Sequence, residues 1–85
     1  MSIKILYFAS LREALGRAEE ELEVLPAGVA TLGALREWLC ARGGDWVALR
    51  AGQAVRAAVN QSLAQAHHPL AEGDEIAFFP PVTGG

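Results

Sequence analysis

Cysteine is nearly missing from this 85-residue chain, and Cys40 stands alone. That excludes an internal disulfide framework and any centre built from several thiolates, iron–sulfur clusters included. Basic charge is scarce as well. Seven Lys and Arg face ten Asp and Glu, for a formal net charge of -3, and no basic cluster occurs. Nucleic-acid binding, which needs a positive stripe to displace counterions from phosphates, is therefore not expected. No apolar run approaches the ~20 residues of a membrane span. Met1-Ser2-Ile3-Lys4 lacks the long apolar core of a signal peptide. The expectation is a cytoplasmic domain with no membrane partner. Length adds a further limit: one domain with a modest core, and little room for a deep substrate cavity of ~300–1,000 Å³. A self-contained enzyme is disfavoured.

What is present reads as strands around one main helix. Ile3 to Phe8 is apolar on both faces, with Ile3, Ile5 and Tyr7 on one side and Lys4, Leu6 and Phe8 on the other, which predicts a central strand covered on at least one side. Ser10 and Glu13 have capping-box spacing, and Gly16 is a left-handed stop, so a short helix is expected between them. Glu19 to Leu25 reads as a strand near an edge, its Glu19-Glu20-Glu21 and Glu23 side solvated. Thr31 is a candidate N-cap for a helix over Leu32 to Arg42, with Leu32, Leu35 and Leu39 on one stripe widened by Trp38, a core candidate. Asp45 to Arg50 reads as a further short helical turn, where Trp46 would cover the end of the sheet. Val55 to Asn60, Leu63 to Gln65 and Glu75 to Phe79 are the remaining strands, separated by an Asn60-Gln61 turn and a Glu72-Gly73-Asp74 turn. Strands flanking one dominant helix imply a two-layer α+β domain over residues 1–79.

The segment that carries chemistry is the last one, Phe78-Phe79-Pro80-Pro81-Val82-Thr83-Gly84-Gly85. Neither proline can donate to a ladder, so the sheet must stop there, and paired prolines favour an extended exit. The six residues 80–85 form a flexible tail that would reach roughly 20 Å at full extension. Two terminal glycines suit passage through a narrow channel, where backbone fits and side chains do not. The reactive group at the tip is the α-carboxylate of Gly85. Small, disordered termini are common, but such a terminus has no need of stiffening prolines beside aromatics.

This tail follows Lys4-Ile5-Leu6-Tyr7-Phe8-Ala9-Ser10-Leu11-Arg12-Glu13, Ala58-Val59-Asn60-Gln61 and Pro69-Leu70-Ala71-Glu72-Gly73-Asp74-Glu75. Together they resemble the small subunit of molybdopterin synthase, in order and over nearly the whole chain. A Gly-Gly end alone is shared with many ubiquitin-like proteins; the full ending after a Gly-Asp-Glu turn is far more specific. The resemblance implies a ubiquitin-like β-grasp fold, a mixed sheet of about five strands with the first and last paired in parallel at its centre and the main helix on one face. It also implies a sulfur carrier. An activating enzyme related to ubiquitin activators would adenylate Gly85 with ATP and magnesium, and a sulfur donor would convert the adenylate to a thiocarboxylate. The tail would enter the large synthase subunit and deliver sulfur to cyclic pyranopterin monophosphate, within a heterotetramer of two small and two large subunits. The carrier itself would bind no cofactor or metal. Gly84 would give the tip access, and Phe78, Phe79, Pro80, Pro81, Val82 and Thr83, with Arg12, would form or support the partner interface.

Phe78 and Phe79 occupy opposite faces of a strand, so one of them must face the core. Cys40 reads as a partly buried structural thiol. His67-His68, lacking a third ligand, makes a poor metal site and reads as loop. Three other functions share the Gly-Gly end: a carrier for thiazole or tRNA thiolation, a modifier conjugated to lysines through Gly85, and an inert interaction module.

Overall fold

The computed structural model describes residues 2–49 and 55–80. Pro81, Val82, Thr83, Gly84 and Gly85, and Arg50 of the expected helical turn, lie outside the described residues. Five strands, β1 (Ile3–Tyr7), β2 (Glu19–Leu22), β3 (Arg56–Val59), β4 (Ser62–Leu63) and β5 (Glu75–Phe79), form one sheet in the order β2-β1-β5-β3-β4. β1 and β5 run parallel at its centre, from Lys4 opposite Glu75 to Tyr7 opposite Phe78, while the other pairs are antiparallel. α1 (Ser10–Leu15) follows β1, and α2 (Leu32–Cys40) is the main helix, followed by a 3-10 turn at Gly44–Leu49. A mixed five-stranded sheet carrying its main helix on one side is the β-grasp arrangement anticipated above.

Strand alternation sets the core. Ile3, Ile5 and Tyr7 of β1, Ala57 and Val59 of β3, and Ile76 and Phe78 of β5 are buried in one cluster with Leu32, Leu35 and Leu39 of α2. Period two on the strands and the three-to-four spacing on the helix thus meet as complementary apolar surfaces. Leu49, at the end of the 3-10 turn, closes the cluster. Arg36 braces this corner, donating from Nε to the Leu49 carbonyl and from Nη2 to the Val55 carbonyl at 2.9 Å.

Several expected boundaries shift. Ser10 does not cap α1: it lies in the first helical turn, and the N-cap is Ala9, with no side-chain bond. The chain reverses so tightly after β1 that Phe8 and Ala9 carbonyls take the Leu11 and Glu13 amides instead. Ala9 accepts a positive φ of 53° to do so, a costly conformation for a residue with a Cβ. β2 ends at Leu22 rather than Leu25, because Leu25 leaves the ladder and donates its amide to Glu72 Oε1 at 3.0 Å. α2 stops at Cys40, two residues early. β4 is Ser62–Leu63 rather than Leu63–Gln65, since Asn60 and Gln61 both take positive φ, as a two-residue hairpin loop requires, and bring Ser62 opposite Val59.

The start of α2 is satisfied from within. Thr31 caps it through Oγ1 to the Ala34 amide at 3.2 Å, as its sequence position predicts. The amides of Leu32 and Gly33 donate to the carbonyls of His68 and Ala66, at 2.9 and 2.8 Å. The His67-His68 loop therefore serves α2 with its backbone. Gly33 suits this close approach: a Cβ there would lie 3.0 Å from the Ala66 Cβ and 3.1 Å from its carbonyl oxygen, so the Ala66 segment would have to shift. We expect Gly33→Val to lower unfolding stability by about 1–3 kcal/mol through overpacking, read as a reduced urea midpoint with unchanged slope.

Candidate functional site

The face of the sheet opposite α2 is open and carries an apolar row bordered by charge: Glu19 stands opposite Leu6, Glu75 opposite Lys4 and Arg56 opposite Phe79. Cross-strand partners share a face, so the registers place Leu6, Ala77, Ala58 and Leu63 in one row across four strands. Phe79 of β5 lies in the next row, opposite Arg56, and Phe8 follows β1 at the same end. Phe8 is 47% exposed and Leu63 69% exposed. Exposed apolar side chains grouped on one face make it the candidate interaction surface.

The predicted interface residues divide on this face. Phe79 belongs to it, half-buried. Phe78 does not: it is fully buried, and its ring stacks on Tyr7 with centroids 6.2 Å apart. It is the one of the two phenylalanines that strand alternation sends into the core. Pro80 follows, half-buried, where the ladder has ended. Arg12 lies exposed on α1, within the short helix that begins just past Phe8, and enters none of the ion pairs among the described residues. Leu6, Phe8, Ala58, Leu63 and Ala77 were missed as site residues. Their signal was the second apolar face of the first strand, which a central strand covered on only one side leaves open.

Below this face, the tail-bearing end carries a polar cluster where a solvated glutamate edge was expected. Glu19 and Glu21 do face solvent, pairing with Lys4 at 3.5 Å and accepting from Ser2 at 2.8 Å. Glu20 turns inward, its side chain 10% exposed. It accepts from the Tyr7 hydroxyl at 2.9 Å and from both Nη atoms of Arg42 at 2.8 and 2.7 Å, with Arg17 at 3.5 Å. The Arg42 bonds hold the Glu20 carboxyl below the usual carboxylate range against the opposing effect of burial. Burial, then the neighbouring Glu20 charge, pushes the Tyr7 phenol up. Trp38, expected in the core, is half-buried beneath the Arg42 guanidinium, 4.9 Å from its ring centroid. Cys40 is partly buried, as its position on the helix suggests.

A groove of about 480 Å³ also opens between α2 and the β3–β4 hairpin; Leu63, on the edge strand, reaches it as well, and none of the predicted site residues among those described lines it. Among the described residues no helix is long and apolar enough to cross a membrane.

The pattern of the ThiS family matches residues 5–85, from β1 to the last glycine. The chain belongs to the ThiS family. It is 48% identical over 84 residues to the molybdopterin synthase sulfur carrier subunit of Escherichia coli, covering 98% of this chain and 99% of that protein. Among solved structures of similar fold is a putative molybdopterin converting factor, subunit 1, from Pyrococcus furiosus. It has a TM-score of 0.76 and 30% identity over 96% of this chain and 99% of that one. A complex of subunits 1 and 2 of the molybdopterin-converting factor from Helicobacter pylori contains a chain of the same fold, with a TM-score of 0.65 and 23% identity over the full length of both. The resemblance read from Phe78-Phe79-Pro80-Pro81-Val82-Thr83-Gly84-Gly85 and the Gly-Asp-Glu turn is therefore correct at the level of family and fold. The turn has a structural explanation. Asn60 Nδ2 donates to Asp74 at 2.9 Å, Asp74 accepts from the Ala71 amide at 2.8 Å, and Glu75 N donates to Asn60 Oδ1 at 3.0 Å. In this ThiS-family chain those residues join β3 to β5.

Proposed function

We propose that this chain is the sulfur-carrier subunit of a molybdopterin synthase. The observation that carries the reading is an open apolar face lying directly beside the exit of a segment that ends in Gly84-Gly85. Such a domain is built to be held by one surface while its tip works elsewhere. The name of the Escherichia coli relative, matched end to end, supports the pathway, and the Helicobacter pylori complex supports a large-subunit partner.

The chemistry assigns the parts. A carboxylate is a poor electrophile because its leaving group would be oxide. An activating enzyme, with ATP and magnesium, joins the Gly85 carboxylate to AMP and releases pyrophosphate. Sulfide-level sulfur from a donor then displaces AMP, leaving a thiocarboxylate. Sulfur is the softer and better nucleophile, by the logic that favours thiolate over alkoxide. In the large subunit the thiocarboxylate gives its sulfur to cyclic pyranopterin monophosphate and returns, after hydrolysis, as carboxylate. A dithiolene needs two sulfurs, so each product consumes two loaded carriers. Gly85 carries the group, Gly84 gives access, and Phe8, Leu63 and Phe79 dock, with Arg12, Pro80, Pro81, Val82 and Thr83 at the base and along the tail. General acids and bases belong to the partners.

Intact-mass analysis after co-expression with an activating enzyme tests this reading. The expected result is replacement of one oxygen by sulfur, located at Gly85 by fragmentation. Persistent recovery of the plain carboxylate, with ATP and a competent sulfur source supplied, would contradict it, and Gly85 found in isopeptide linkage would point to a protein modifier instead.

A further inference from the structure

Two polar networks hold opposite ends of the central β1–β5 pair, and they share no residue. At the end where β5 begins, Asn60 and Asp74 bind each other, and the Lys4 amide donates to the Asp74 carbonyl at 3.0 Å. At the other end, four side chains from four segments close a ring. Tyr7 of β1 donates to Glu20 of β2, and Glu20 takes both Nη atoms of Arg42, just past α2. The Arg42 guanidinium lies 4.4 Å from the centroid of Trp46 in the 3-10 turn. Trp46 in turn stands edge-on to Tyr7, with ring centroids 5.5 Å apart and planes at 73°.

This ring bears on the last rung of the parallel ladder. Tyr7 stands opposite Phe78, their rings stack, and the Phe8 amide donates to the Phe78 carbonyl at 3.1 Å. Phe78 is two residues from Pro80, where the tail leaves. Any displacement of Tyr7 therefore loosens the base of the tail first. We propose that the Tyr7–Glu20–Arg42–Trp46 ring is a latch that governs local opening of the tail-bearing end of the sheet, independently of the opposite end. Its one acceptor is the Glu20 carboxylate, and the ionisable groups facing that carboxylate are Tyr7 from β1, Arg17 from the turn before β2, and Arg42. Proteins open in such separate units when distinct contacts hold each one. The use of this opening in sulfur delivery rests on the reading above; its existence does not.

Amide hydrogen exchange on the full chain decides the matter, with Tyr7→Phe, Glu20→Gln and Asp74→Ala compared with the native protein. Tyr7→Phe keeps both ring contacts and removes only the hydroxyl. It should speed exchange at positions 7 and 8 by about three- to tenfold, and Glu20→Gln by about tenfold or more, the scale of a hydrogen bond to a charged group. Lys4 and Asn60, whose amides donate to Asp74 and Glu75 carbonyls, should stay at native rates. Asp74→Ala should give the reverse pattern. Equal acceleration at both ends in Tyr7→Phe, or none at either, overturns the latch, and that variant decides alone if Glu20→Gln does not fold. Sulfur loading of the native protein, measured on the same preparation, keeps the two ideas apart: failure to load would remove the functional reading and leave the exchange pattern to stand or fall by itself.

Discussion

Removing Gly85 is expected to leave thermal unfolding unchanged and to cut sulfur delivery by about 100-fold or more. The two halves of this result have separate causes. The buried cluster of described residues runs from Ile3 to Phe78, and the expected result is that this cluster holds the fold without the final residue. Delivery depends on where the terminal group sits. One residue fewer shortens the reach by ~3.5 Å, and misplacing a reacting atom by even ~1 Å can cost about 100-fold. Gly84→Leu separates reach from width. It keeps the length and the terminal carboxyl of Gly85 but adds a side chain one position back, and we expect a comparable loss. Each variant is followed by calorimetry and by single-turnover sulfur transfer from chains whose loading has been verified by mass. A drop in melting temperature of many degrees on deletion of Gly85 would mean that the terminus belongs to the folded body.

The second large effect lies on the open face. Phe8→Asp places a charge at the tail-bearing end of the face that holds Leu6 and Phe79. We expect affinity for the large subunit to fall by about 30-fold or more, since an aromatic anchor is worth ~2 kcal/mol or more when lost and a buried unpaired carboxylate adds to the loss. Phe8 is 47% exposed and stands outside the core cluster, so folding stability should change little. The backbone bond from Phe8 to Phe78 does not depend on the side chain. Val24→Asp is the matched control: Val24 is also exposed and apolar, at 65%, but it lies past the end of the edge strand β2, outside the row of Leu6, Ala77, Ala58 and Leu63. Titration calorimetry with the purified large subunit reads both. Unchanged affinity in Phe8→Asp, or an equal loss in Val24→Asp, would remove the docking assignment.

The division between what the sequence could and could not disclose follows the range of the interactions. Asn60-Gln61 announced a two-residue hairpin turn, and Thr31 announced a cap, because each acts within a few residues of itself. The leucine stripe of α2 was legible as core from helical spacing, and strand alternation required that one of Phe78 and Phe79 face inward without saying which. Ser10 was misread because capping-box spacing is local while the event that overrides it is not: the reversal after β1 is set by burial of Leu11 and by the Phe8 and Ala9 carbonyls. Glu20 was misread for the same kind of reason. In sequence it is one of three consecutive glutamates, and only the arrival of Arg42 from 22 residues away distinguishes it from its neighbours. Phe8 and Leu63 went unnamed because an apolar side chain on a strand does not say which face the helix will cover. The parallel β1–β5 pairing came from family resemblance, since strand composition makes a strand central without giving its direction.

The account turns on Gly85 being the atom-bearing end of a carrier held by its sheet face, and one reconstitution tests that most directly. Chain loaded with sulfur, as verified by intact mass, is mixed with the large subunit and cyclic pyranopterin monophosphate, and both the carrier mass and the pterin product are followed. The account predicts that the terminal thiocarboxylate reverts to carboxylate in step with dithiolene formation, two carriers consumed for each product. A carrier that keeps its sulfur while product accumulates, or that loses it with no product formed, would contradict the assignment.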